Sequence, residues 1–136
     1  MIIAAIVVSG TLGSLTNWLF MGLLFHAAYN GYLEIWRPGT RDGGDRTAII
    51  KSTVLGYAMT AGMGGLCIVA HTQSIAAGLV LAVLAWIAGP LVVIVINGFF
   101  TKIDAMIIAA HCLGYLARML LAGTAVGLAL ERIATQ

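Results

Sequence analysis

The sequence predicts an all-α protein, an integral membrane bundle of four antiparallel transmembrane helices. Three observations carry that expectation. The 136 residues are 61% hydrophobic and 9% charged, where a soluble domain carries about 25% charged residues. Together with a mean hydropathy of +1.03, this leaves too little charge to cover a water-facing surface. The charges that do occur are clustered, and the runs between them have spanning length. Within those runs, polar residues recur at helical spacing. The length suits one domain, so residues 1–136 read as a single transmembrane domain.

The spans follow in order. No charge precedes Glu34, which leaves room for a first span over about 7–29. The segment 31–37 holds Tyr32, Glu34, Trp36 and Arg37, rings beside charges, as at a membrane interface. Residues 38–46 form a loop rich in turn formers. Its glycines and arginines suit a solvated connector, since neither the Walker nor the dinucleotide pattern is present. From Ser52 to Thr101 no charge occurs. That run is too long for one span and right for two, about 53–70 and 75–99, with the turn at His71-Thr-Gln-Ser74. Lys102 and Asp104 mark the next turn. The fourth span covers about 105–130 and is closed by Glu131-Arg132. Short loops between four helices imply an up-down bundle.

Basic residues orient it. Arg37, Arg41, Arg46 and Lys51 follow the first span, Lys102 follows the third, and Arg132 lies on the opposite side. Loops 31–51 and 100–104 are therefore expected in the cytoplasm, and both termini outside. The N-terminus has no positive region, so no cleavable signal peptide is expected. A net charge of +2 implies nothing about nucleic acid, and with no basic patch of interleaved aromatics none is expected as a partner. Cys67 and Cys112 lie in apolar runs without metal-type spacing and read as packing residues. Gly123-Thr-Ala-Val-Gly127 is a GxxxG pattern, and Gly62, Gly64 and Gly65 crowd the second span. These mark close helix packing and offer faces for self-association.

Polar residues in lipid turn inward or line a cavity. The second span carries Thr53, Tyr57, Thr60, Gly64, Cys67 and His71 on one face. The third carries Trp86, Pro90, Asn97 and Thr101, with a kink expected at Gly89-Pro90. The fourth carries Asp104, His111 and Arg118, with Tyr115 beside them. The first carries His26, Asn30 and Glu34, while Asn17 lies about 180° from His26 on a straight helix. Counted from the cytoplasmic end, Asn30, Thr53, Asn97 and Asp104 form a mouth layer. His26, Tyr57, Thr60 and His111 lie roughly 13–16 Å in. Trp18, Gly64, Cys67, Trp86 and Arg118 lie deeper.

Arg118 falls near the centre of its span. A charge there costs at least roughly 2.5–3.5 kcal/mol unless something receives it, and arginine does not deprotonate. No carboxylate shares its depth. Its partners are then backbone carbonyls, polar side chains, an aromatic face such as Trp18 or Trp86, water, or an anionic ligand. The plainer account is that it satisfies carbonyls as a structural residue. His26 and His111, at similar depths, suit hydrogen-bonded interior histidines. A bis-imidazole haem site is the alternative; otherwise no cofactor and no metal is expected.

Two stretches resemble a known family. One is Gly22-Leu-Leu-Phe-His-Ala-Ala-Tyr29-Asn-Gly-Tyr-Leu-Glu-Ile-Trp36. The other runs from Trp86 to Gly127, with Asn97-Gly-Phe-Phe-Thr-Lys102 and His111-Cys-Leu-Gly-Tyr115 inside it. Together they resemble small bacterial four-helix integral membrane proteins catalogued as a domain of unknown function. The chain departs from that family's Trp-Tyr-Ser-Pro-like cluster at His26-Ala-Ala-Tyr29. The resemblance implies a four-helix fold and a bacterial inner membrane, and no activity.

The expectation for function is a protein that binds or passes a small anionic or amphiphilic ligand in an intramembrane polar cleft. Arg118 is its anchor, with His111, His26, Trp86, Tyr115, Asn97, Asp104 and Tyr57 around the ligand. Membrane lipids are its surroundings. Two alternatives stand beside it. One is a membrane enzyme acting on a lipid-like substrate, with His111 as acid or base and Asp104 and Tyr115 assisting. The other is an accessory subunit of a membrane complex.

Overall fold

A computed structural model describes residues 1–31 and 46–136, and the described residues are helical with no strand. Helix α1 (Ile2–Trp18) runs into a π-helical turn, Leu19–Leu24, and after a bend at Phe25 the short α2 (His26–Gly31) follows. Helix α3 covers Arg46–Val69. Helix α4 (Ile75–Trp86) passes through a second π-helical turn, Ile87–Leu91, into α5 (Val92–Phe100). Helix α6 covers Ala105–Ala134. Four stretches are long and apolar enough to cross a membrane: Ile2–Leu24, Arg46–Val69, Ile75–Phe100 and Ala105–Ala134. All four expected spans are present as helix, with shifted ends. Apart from Gly31 and Arg46, the expected interfacial segment 31–37 and loop 38–46 lie outside the described residues.

The shifts have local causes. Hydropathy marks only the apolar part of a helix, whereas backbone hydrogen bonding continues past it. Helix α3 therefore begins at Arg46 and includes the charged Lys51. The first span ends early because Phe25 leaves helical geometry, at φ −113° and ψ 13°. At Pro90 the missing N–H and the bulky ring exclude a regular turn. The irregularity expected at Gly89-Pro90 is resolved as a π-helical turn. The turn at Leu19–Leu24 contains no proline, and the sequence gives no warning of it.

The ends are capped from within. Ser74 Oγ accepts from the Ala77 N–H at 3.2 Å, and Asp104 Oδ1 accepts from the Met106 N–H at 2.7 Å. Glu131 Oε2 accepts from the Ile75 N–H at 3.4 Å, placing a carboxylate at the positive end of α4. Helix α3 ends at His71, in the left-handed region at φ 51°. The Thr72 N–H reaches back to the Cys67 carbonyl at 2.9 Å, the long bond of a Schellman turn. Hydroxyls inside helices bond their own preceding turn, as with Ser9 to Ala5, Ser14 to Gly10 and Thr60 to Gly56. This satisfies them without water.

Helix α6 is the centre, packing against α1, α3 and α4. The main core joins Met63 and Cys67 of α3, Ala82 of α4, and Met119, Ala122 and Val126 of α6. Its close approach depends on small residues. A Cβ on Gly123 would strike the Gly78 carbonyl, and one on Gly127 would lie 2.8 Å from the Ser74 carbonyl oxygen. The GxxxG pattern is thus used inside the chain, between α6 and α4. Gly62 and Gly65 face open space. A smaller core joins Tyr29, Ile107 and Ala110 at the opposite end of α6.

Candidate functional site

Helices α1 and α3 meet over α6 and then part. They meet where the Tyr57 ring lies against Gly10 and its hydroxyl pairs with Thr11 Oγ1 at 2.8 Å. Beyond Gly13 and Gly56 they leave a wedge-shaped cleft of about 740 Å³, floored by α6. The α1–α2 wall includes Ser14, Asn17, Trp18, His26, Tyr29 and Asn30. The α3 wall supplies Ile49, Ser52 and Thr53. The floor runs from Ile103 through Ile107, His111 and Tyr115 to Arg118. Within α6, Arg118 lies eleven residues beyond Ile107, about 16 Å along the helix, and closes the deep end.

Arg118 is 3% exposed. Two glycines make room for it: a Cβ on Gly13 would lie 2.9 Å from its Cγ, and one on Gly56 would overlap the guanidinium. Its Nε and Nη2 both donate to the Gly13 carbonyl, at 3.3 and 2.9 Å. That same oxygen accepts from Thr16 Oγ1 at 2.9 Å. A carbonyl has two lone pairs, so this acceptor is over-subscribed. Arginine carries five N–H donors. The side edge of the fork is spent on Gly13; the end edge, Nη1 and the second Nη2 hydrogen, has no acceptor among the described residues. Nor does any described carboxylate pair with it. Among the described residues Arg118 is the one formally charged side chain bordering the cleft.

Along the floor, His111 Nε2 and the Tyr29 hydroxyl are 2.8 Å apart, with the rings edge to face at a centroid distance of 5.8 Å. This contact ties α2 to α6. His26 borders the cleft on the same side. A haem ligated through His111 Nε2 would displace Tyr29 from that nitrogen. Among the described residues no group of three or more His, Cys, Asp or Glu side chains stands close enough to hold a metal ion. Asn17 keeps its Oδ1 buried and without a partner, facing Gly114 of α6, whose Cβ would come within 3.1 Å. Asn17 also borders the cleft.

No family model, curated protein or solved structure matches the chain.

Of the expected ligand-contacting residues, the structure brings Arg118, His111, His26 and Tyr115 together at the cleft. It places four elsewhere. Tyr57 fastens α1 to α3 at the closed end. Trp86 packs against the main core and donates its Nε1–H to the Cys112 carbonyl at 2.9 Å. Asn97 is exposed on α5. Asp104 caps α6. Packing decided the partners of the α3 stripe and divided that of the third span, where Trp86 is half-buried and Asn97 and Thr101 are exposed. The middle of the α3 stripe (Tyr57, Thr60, Gly64, Cys67) turns to α1 and the core, and Trp86 turns to α6.

Twelve of the sixteen lining residues lay outside the expected ligand set, among them the polar Ser14, Asn17, Tyr29, Asn30, Ser52 and Thr53. Asn17 was set aside because a straight helix opposes it to His26. The π-helical turn and the Phe25 bend reset the register between them, and both border one cleft. Tyr29, three residues after His26, shares its helical face, and that spacing was the available signal for it.

Proposed function

We propose that this chain is a multi-pass protein of a bacterial inner membrane, its four spanning helices antiparallel, that binds or passes a small anionic or amphiphilic ligand in the cleft. In this orientation the ends of the spans at Arg46 and Phe100 face the cytoplasm, both termini are outside, and the end of the cleft away from Arg118 faces the cytoplasm. Exposed Arg46, Lys51 and Lys102 at that end favour approach of an anion. The outward faces suit lipid, since Ile3, Val69 and Phe100 are each more than three-quarters exposed. The sequence resemblance is the ground for the bacterial assignment.

One observation carries the functional reading. Arg118 is buried at the deep end of an open cleft, with one edge of its fork on a shared carbonyl and the other edge unmet. A buried charge retained at that cost marks a functional site by default in a membrane. The test is mass spectrometry of small molecules retained by the purified protein, for the unaltered chain and for Arg118→Leu and Arg118→Lys. The expected result is an anionic species held by the unaltered chain and lost from Arg118→Leu. Arg118→Lys keeps the charge without the fork, and is expected to fold and retain less. A folded Arg118→Leu that keeps the same anion sinks the reading.

A second reading rests on the Tyr29–His111 pair. His111 is half-buried and open to the cleft, where it could exchange a proton with a lipid-like substrate. In that enzyme reading, His111→Gln abolishes turnover while leaving ligand retention intact.

A further inference from the structure

The cleft's chemistry narrows the ligand class, on the ligand-binding reading above. The deep end offers a single positive charge. A ligand with one negative charge leaves the site neutral; a dianion leaves an uncompensated charge in a low-dielectric interior. The free edge of Arg118 presents two N–H groups side by side, the geometry that takes both oxygens of a carboxylate. Asn17, one helical turn beyond Gly13, adds a neutral polar side chain to the lining.

The rest of the cleft is far larger than a carboxylate. Its volume of about 740 Å³ falls within the range of sites for drug-sized ligands. Neutral polar, aromatic and aliphatic side chains line it, so the remainder of the ligand is uncharged. The rim indicates the route. Trp18 and Ile49 border the cleft yet are 63% and 57% exposed. One projects from α1 and the other from α3, so both stand on the rim of the cleft with apolar surface turned outward, toward hydrocarbon where these helices span a membrane. A carboxylic acid can cross that region in its neutral protonated form, whereas a phosphate monoester resists full protonation.

We infer that the cleft takes an amphipathic monocarboxylate, a molecule with one carboxylate and an apolar body, which enters between Trp18 and Ile49 and seats its carboxylate on the free edge of Arg118.

The experiment compares four probes on the full chain in detergent by native mass spectrometry: dodecanoate, dodecyl phosphate, acetate and dodecyltrimethylammonium. Dodecanoate is expected to bind at least about tenfold more tightly than any of the others, and to weaken about tenfold or more in Arg118→Lys. Dodecyl phosphate equal to dodecanoate overturns the monocarboxylate and leaves ligand binding standing. Acetate equal to dodecanoate overturns the apolar body. Dodecyltrimethylammonium equal to dodecanoate overturns the seat on Arg118. No binding of any anion overturns the underlying reading as well. The rim variant Ile49→Trp, at an exposed position remote from the glycines, tests the route without endangering the fold. It is expected to slow dodecanoate uptake about tenfold, and an unchanged rate overturns entry from the side.

Discussion

Arg118 and Gly13 are joined across 105 residues of chain, the guanidinium donating twice to one carbonyl oxygen at 3.3 and 2.9 Å. This contact fixes α6 against α1 while leaving half the fork unspent. A structural arginine and a ligand-binding arginine are therefore the same residue here. The carbonyl holds it in place, and the open edge gives it something to do.

Gly56 is the most sensitive position at the site. A Cβ there would occupy the space of the guanidinium, and Arg118 would have to give up its bonds to the Gly13 carbonyl and turn into the cleft. Gly56→Ala is expected to cost about 2 kcal/mol or more of stability and to abolish retention of any anion. Gly62→Ala, on the same helix in open space, is expected to be neutral or stabilising by up to about 1 kcal/mol. Thermal unfolding of the two variants in detergent checks the contrast. Equal behaviour contradicts the packing described for Arg118.

The Tyr29–His111 contact predicts coupling between α2 and α6. Tyr29→Phe and His111→Phe each remove one partner of the 2.8 Å contact, at about 1 kcal/mol. The double variant is expected to cost clearly less than the sum. Additive losses in a double-mutant cycle would show that the 2.8 Å contact carries no energy.

Backbone contact between α4 and α6 makes Gly123 intolerant of any side chain. Gly123→Val drives a branched Cβ carrying two methyl groups into the Gly78 carbonyl, and the helices must separate. Loss of folded protein on purification is the expected outcome. Gly65→Val, facing open space on α3, should yield normal amounts, and a poor yield from both would point to a general glycine effect.

His71 holds a left-handed backbone at the end of α3, where a residue without a Cβ is preferred. His71→Gly is expected to raise stability by roughly 0.5–1 kcal/mol. A fall in the unfolding temperature would mean that the imidazole makes a contact worth more than the strain.

The positions of the four long helices, the GxxxG contact and the break at Pro90 were legible because each depends on local sequence: apolar run length, small residues at four-residue spacing, a missing N–H. The floor of the site was legible for the same reason, since His111, Tyr115 and Arg118 lie on one regular helix. The walls were not. Which stripe faces which neighbour depends on the order of helices around α6, and nothing in the spacing of Tyr57, Trp86 or Asn97 encodes that order. Asn17 escaped because the π-helical turn at Leu19–Leu24 carries no proline to announce it.

The two ends of α6 are built to different standards. Toward Ala134 it is clamped by glycine backbone contacts and the main core; toward Ala105 it meets the small Tyr29–Ile107–Ala110 cluster and a void. Few apolar contacts imply a low free energy of local opening. The protein is thus sprung like a clothes-peg, fixed at one tip and able to splay at the other. Amide hydrogen exchange should run faster in α2 and the first turns of α3 than in Met63–Val69 or Ala122–Val126. The cleft can then widen for a bulky guest without disturbing the half of the molecule that keeps it folded.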